Sequence, residues 1–356
     1  MKTEKLPGWL LPLWAGLVAR RERMPHALLL TGAAGSGKRQ FAEALAAALL
    51  CHHVDEQGCA CGVCEDCRWL ATGNHPDLMR VLPAADLEEA ADEGDSSEAT
   101  AKKEKSRSSQ ILIDQVRALQ SGLEVGAGGH SGGLRVVILE PAEAMNTAAA
   151  NALLKMLEEP GKGLVFLMVC HAPKRLLPTI RSRCQVLPFP RPDQAATAAW
   201  VASCGIPVAQ SLLGFCSGLP LQLERMQAKG LVDARKNLAT DLARLPVSDP
   251  LKLAAQWEAR LKAKDSSEKG FDLSLFISWL QRWLSDGVRV AQGLEPRFYA
   301  DFQTDLLRLS AGNAHAWQAC FREFHAYRAV APHPLNQRLL LEEMFTFDGS
   351  VTDASR

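Results

Sequence analysis

Residues 32–38 read Gly-Ala-Ala-Gly-Ser-Gly-Lys, and Gly32, Gly37 and Lys38 stand at the spacing of the phosphate-binding pattern G-x-x-x-x-G-K. Glycines at 32, 35 and 37 let backbone N–H groups turn toward phosphate oxygens. A helix starting there adds its positive dipole end, and Lys38 would reach the terminal phosphates. The next residue is ordinarily a Ser or Thr whose hydroxyl ligates Mg²⁺, and here it is Arg39. A second centre follows closely. Of ten cysteines, Cys51, Cys59, Cys61, Cys64 and Cys67 crowd one short stretch. Cys61, Cys64 and Cys67 form C-x-x-C-x-x-C, and with Cys51 upstream they could surround Zn²⁺ tetrahedrally as a closed, structural site. Cys59, His52 and His53 remain rival ligands on spacing alone.

The glycine-rich turn needs a strand before it and a helix after it. Ala27 to Leu30 is a short apolar run, and the Ala- and Leu-rich stretch after Lys38 repeats at helical spacing, so both are predicted. Further strands are expected at Asp77–Leu82, Arg135–Leu139, Leu164–Val169 and Gln185–Phe189, with helices at Ile111–Leu123 and Asn146–Leu157. Apolar strands separated by helices predict a parallel sheet covered on both faces. Residues 83–109 are first acidic and then basic, with no aromatic side chain and Leu87 as the single branched aliphatic one between Ala84 and Ser109, which predicts a flexible insertion. From Pro192 onward only helical patterns recur, with a loop at 264–270.

Hydrolysis of a nucleotide requires more than the cradle. An acidic pair is needed after a second strand, one acid for the metal and one to activate water. Here Arg135–Leu139 is followed by Glu140 and Pro141, and proline can neither polarise water nor accept a proton. Glu140 stands where the first acid belongs, while Glu143 lies too far along for the usual geometry. The candidate nucleotide residues are therefore Gly32, Gly35, Gly37, Lys38, Arg39 and Glu140. ATP with Mg²⁺ is not expected to be turned over on them.

Composition sets the outer bounds. The chain has 356 residues, 47% hydrophobic and 22% charged, which predicts more than one soluble globular domain. Forty basic and forty acidic residues cancel, so no whole-chain attraction to nucleic acid or an anionic membrane exists. No apolar run approaches the roughly 20 residues that span a bilayer. A cytoplasmic protein without membrane contact is expected, in which crowded cysteines point to metal rather than disulfides.

Four stretches together resemble the bacterial clamp-loader subunits of the AAA+ class: HALLLTGAAGSGK, CGVCEDCRWLATGNHPDL, NTAAANALLKMLEEP and LLPTIRSRCQ. The likeness covers residues 1 to about 230 and thins beyond them. It implies an α/β P-loop AAA+ module over residues 1–191, holding a zinc-binding insertion at 51–67 and the flexible insertion at 83–109. A small helical lid (192–235) and an all-α C-terminal collar (236–356) would follow. It points to Cys51, Cys61, Cys64 and Cys67 as the zinc ligands, although the step from Cys59 to Cys61 departs from the usual spacing. Arg183, in Ser-Arg-Cys, would be an arginine finger acting in trans on ATP held by a neighbour.

Two further positions depart from the family's ATPases. The polar residue at the end of the fourth strand falls near Cys170 and His171, and the nucleotide-sensing arginine near Leu221. The resemblance therefore implies a non-hydrolysing subunit of the DNA polymerase III clamp loader. Its partners would be gamma, tau and delta subunits and, through the complex, the sliding clamp and primer-template DNA. The DNA-directed DNA polymerase activity would belong to the whole holoenzyme. An ATP-hydrolysing gamma/tau-type subunit and a zinc-stabilised scaffold are the competing readings. His26 is expected beside a strand, Cys204, Cys216 and Cys320 in cores, and Trp257, Trp279, Trp283 and Trp317 in core or subunit contacts.

Overall fold

The computed structural model describes residues 6–84, 108–124, 133–204, 210–245, 248–263, 266, 270–311, 314–330 and 336–352. Most of the insertion expected to be flexible (85–107), residues 125–132 and most of the loop at 264–270 lie outside these residues. The chain divides into two compact units, Met1–Ala196 and Thr197–Arg356.

The first unit is built on five parallel strands: β1 (Ala27–Thr31), β2 (Leu78–Val81), β3 (Arg135–Leu139), β4 (Leu164–Cys170) and β5 (Gln185–Pro188). They lie in the order β2-β3-β4-β1-β5. β1 and β4 are buried at every residue and apolar except at Thr31, which fits strands paired on both edges and covered on both faces. β5 is mostly exposed, as an edge strand tolerates. The α/β module expected from the sequence is therefore present.

Period-two alternation sends each strand's side chains into two separate cores. On one face Leu28, Leu30, Ile138, Leu167 and Val169 meet helix α1 (Leu11–Val18) through Trp14 and Leu17, and helix α2 (Lys38–Leu50) through Phe41 and Leu45. On the other, Leu29, Val137, Phe166 and Met168 meet α4 (Ile113–Glu124) and α5 (Thr147–Glu158) through Leu119, Leu153 and Leu157. Each buried side chain of this size stabilises the fold by about 1.5–3 kcal/mol. Helix α3 (Glu65–Ala71) carries the last of the clustered cysteines, Cys67, and α6 (Pro178–Arg181) lies between β4 and β5. Asn146 fixes the start of α5, its side-chain oxygen accepting the Ala149 N–H at 2.8 Å.

The described residues of the second unit contain helices and no strand. After α7 (Gln194–Ser203), whose end belongs here, come α8 (Gln210–Phe215), α9 (Pro220–Ala228), α10 (Leu231–Ala243), α11 (Pro250–Lys262), α12 (Leu273–Ala291), α13 (Gln303–Ser310), α14 (Ala314–Val330) and α15 (Gln337–Thr352). Trp257, Trp279, Trp283 and Trp317 are buried in one core with Phe276 and Phe345. Phe215, Leu223 and Met226, from the stretch expected to be a lid, join the same core, and Phe215 meets Trp279 edge-on at 5.5 Å. Arg235 is buried there too, pairing with both Asp301 carboxylate oxygens at 2.6 Å while stacking on Phe215 and Tyr299. Cys216 and Cys320 are core residues as expected. Cys204 is exposed just beyond the end of α7, because that stretch carries little apolar periodicity to turn it inward. Among the described residues no helix is long and apolar enough to cross a membrane.

Candidate functional site

The turn from β1 into α2 has the cradle's backbone. Gly37 caps α2 at φ 95°, a left-handed conformation that side chains disfavour. Gly32 lies so close to β5's end that a Cβ there would stand 3.1 Å from Phe189 Cβ. Lys38 is 2% exposed, and its Nζ donates to Gly32 O at 2.9 Å, Ala33 O at 2.6 Å and Ser36 Oγ at 3.3 Å. Burial lowers its pKa to about 8, against the opposing pull of Glu140, Glu143 and Cys170.

Arg39 follows directly and reaches across to the end of β3, its Nε 2.6 Å from Glu140 Oε2. The same carboxylate has His171 Nε2 at 3.8 Å from its other oxygen. Glu143 accepts the backbone N–H groups of His171, at 2.9 and 3.1 Å, and of Ala172, at 3.0 Å. It thus secures the chain leaving β4. Burial, then Glu143, pushes the Cys170 thiol up to about 12, so it stays protonated. Leu221 is a buried apolar residue of α9 in the second unit. The residues around the cradle do not fit Mg²⁺. Position 39 offers no hydroxyl, one acid faces a guanidinium and the other serves backbone donors.

The cysteines gather at the far end of α2. Arg21 Nη2 donates to Leu49 O and Cys51 O, both at 3.4 Å, placing a cation at the helix's negative end and holding Cys51 as its C-cap. Cys64 caps α3, its sulfur accepting the Cys67 N–H at 3.4 Å. The four sulfurs of Cys51, Cys61, Cys64 and Cys67 lie within 4.8 Å of one another and could hold a metal ion. Three of the edges measure 3.6, 3.9 and 3.9 Å. Cys61 N–H and Cys64 N–H donate to the sulfurs of Cys51 and Cys61 at 3.2 and 3.4 Å. Backbone N–H groups of Val63 and Cys64 draw the Cys61 thiol down to about 6, whereas burial pushes Cys51 and Cys67 up. Cys59, the rival ligand, is buried outside the group with its thiol on Gln57 O at 3.5 Å. His52 and His53 are exposed and also outside it.

A buried pair beneath this cluster escapes sequence reasoning. Asp77 N–H donates to His75 Nδ1 at 3.1 Å, so Nε2 carries the proton that Asp66 Oδ1 accepts at 3.2 Å. Asp66 is 0% and His75 5% exposed, and together they tie α3 to the start of β2. The stretch NHPD after the cysteines is the only sign of it in the sequence.

Arg183 sits between α6 and β5 and is half-exposed. Its Nη1 donates to Thr179 O at 2.9 Å, and its Nη2 lies 2.6 Å from Glu158 Oε1 at the end of α5. His26, beside β1 as expected, has Nε2 3.1 Å from Leu157 O and so fixes the same end of α5.

A family model described as "DNA polymerase III, delta subunit" matches residues 17–193. The DNA polymerase III subunit delta-prime of Pseudomonas aeruginosa is 40% identical over 242 residues, covering 67% of this chain and 66% of that protein. That of Yersinia pestis is 33% identical over 296 residues, covering 80% of this chain and 77% of that protein. The chain belongs to the DNA polymerase III delta-prime family. A gamma/tau subunit of Mycobacterium bovis is also similar, 32% identical over 167 residues that cover 47% of this chain and 25% of that protein. In this member of the delta-prime family the cradle, the four-cysteine group and Arg183 all fall within the first unit.

Proposed function

We propose that this chain is a non-hydrolysing subunit of a clamp loader, one that lends Arg183 to ATP bound by a neighbouring gamma or tau subunit. The observation that carries this reading is the contrast between two arginines. Arg39 is committed to Glu140 within the chain's own cradle, where a metal would be needed for turnover. Arg183 lies on a separate loop and pairs with Glu158, whose side chain is 48% exposed against 10% for Glu140, so its partner can be exchanged for a phosphate. A trans-acting arginine of this kind raises rates by about 10³ to 10⁵ in other NTPases by offsetting charge on the transferring phosphoryl group.

The four cysteines would hold one structural zinc. Zinc–sulfur bonds of about 2.3 Å in a tetrahedron give sulfur–sulfur edges of about 3.8 Å, which supports Zn²⁺ in this group. The ion would clamp the C-terminus of α2 to the N-terminus of α3 and take no part in the ATP chemistry. Residues 1–191 would act as the AAA+ module, 192–235 as the lid and 236–356 as the collar that joins gamma, tau and delta. Through that assembly, in the cytoplasm, the chain would help place the sliding clamp on primer-template DNA. The reading is tested by reconstitution. Adding this chain to the gamma, tau and delta subunits should raise their DNA-stimulated ATP turnover, while the purified chain alone turns over none. Hydrolysis by the chain alone that Lys38→Ala abolishes would overturn it.

A further inference from the structure

The fold implies a divalent metal beside the cradle, and the residues present exclude it. We infer that the Arg39 guanidinium takes that metal's place, so that a di- or triphosphate entering this cradle would be held without Mg²⁺. The inference deepens the non-hydrolysing reading and rests on it.

Three observations lead here. Position 39, which supplies a metal-ligating hydroxyl in hydrolysing P-loops, carries a permanent cation. That cation lies 2.6 Å from Glu140, the acid placed to share the metal's shell. Glu143, the other nearby acid, spends both carboxylate oxygens on the N–H groups of His171 and Ala172. Mg²⁺ demands near-octahedral oxygen ligands at about 2.0–2.1 Å. A guanidinium in hydrogen-bond contact with the first of those ligands leaves it no room.

The charges point the same way. Lys38 and Arg39 stand against Glu140 and Glu143, and Lys38 feels both acids. These four residues balance without a metal. In a hydrolysing site the two acids and one lysine would leave a deficit for the ion to fill. Arg39 differs from the ion in a second respect, since it is tethered and carries one charge instead of two. Its fork can contact phosphate oxygens, but it brings half the ion's charge and fixes no octahedral shell around the reacting phosphates, as the metal of a hydrolysing site does.

The test uses the full chain with ATP and with inorganic pyrophosphate, titrated calorimetrically in Mg²⁺ and in EDTA. The side chain of Arg39 is 51% exposed, so Arg39→Thr should fold, and Arg39→Lys keeps the single charge as a control. For the wild type and Arg39→Lys, Mg²⁺ is expected to change affinity by less than about threefold. Arg39→Thr, with a hydroxyl at 39 and Glu140 released, should bind ATP at least tenfold tighter with Mg²⁺ than without. A tenfold Mg²⁺ enhancement in the wild type would overturn the inference. So would an Arg39→Thr protein that gains no Mg²⁺ dependence or binds neither probe. The finger role of Arg183 is scored separately, in the assembly, and would survive any of these failures.

Discussion

Arg183 Nη2 lies 2.6 Å from Glu158 Oε1, so the proposed finger is held on its own subunit by the last residue of α5. A carboxylate at a helix's C-terminus faces the negative end of the dipole, and the guanidinium relieves that repulsion. Both side chains are more than a third exposed, and exposed pairs contribute only about 0.2–1 kcal/mol. The contact can therefore be exchanged for a stronger one to phosphate. Glu158→Gln should shift the midpoint of urea unfolding by an amount equivalent to less than about 1 kcal/mol. In the assembly it should leave DNA-stimulated ATP turnover at or above the wild-type rate, because the finger's charge is no longer offset.

The four-cysteine group gives a compositional prediction. Native mass spectrometry should find one zinc per chain, and Cys67→Ser should lose it together with roughly 10 °C of melting temperature, as a structural site's contribution of several kcal/mol requires. Cys59→Ser should keep the zinc, since that thiol bonds Gln57 O outside the group.

Lys38 sets a pH dependence whose sign is the reverse of the commoner lysine case. Its pKa falls from 10.5 to about 8 on folding, so between these values the unfolded chain binds more protons and stability rises with pH. The penalty for burying the charge is fully present below about 8 and gone above 10.5. Relative to wild type, Lys38→Met should therefore lose about 3 kcal/mol of stability between those limits, at 1.36 kcal/mol per pKa unit. Urea unfolding of the two proteins at pH 7.5 and pH 10.5 checks this.

Gly287 allows α12 to approach α14. A Cβ there would sit 2.0 Å from two ring carbons of Trp317, and that ring is fully buried. Gly287→Ala should destabilise the second unit by about 1–3 kcal/mol or more, read as an earlier loss of near-UV circular dichroism from the buried tryptophans.

Much of this was legible in the sequence because it depends on neighbouring residues. Apolar runs as short and β-branched as RVVIL and LVFLMVC, set between turn signals, read as covered strands, and the glycine pattern before Lys38 fixes a strand, turn and helix. What stayed hidden depends on register between distant segments. Position 39 announces a missing hydroxyl, but only the packing of α2 beside β3 places Arg39 on Glu140. Glu143 reads as a misplaced catalytic acid until the end of β4 delivers two N–H groups to it. Cys51 prevails over Cys59 because, as the C-cap of α2, it joins its sulfur to the other three, which spacing along the chain does not reveal. Arg183 with Glu158, and His75 with Asp66, are likewise products of tertiary placement.

The central claim is that catalytic charge from this chain acts on a nucleotide bound elsewhere. Its most direct test is Arg183→Ala in the reconstituted assembly, scored for DNA-stimulated ATP turnover alongside the size of the complex. The account predicts an intact complex whose rate falls severalfold or more, with Arg183→Lys recovering only part of it because an ammonium lacks the planar fork. An intact complex with an unchanged rate would contradict it.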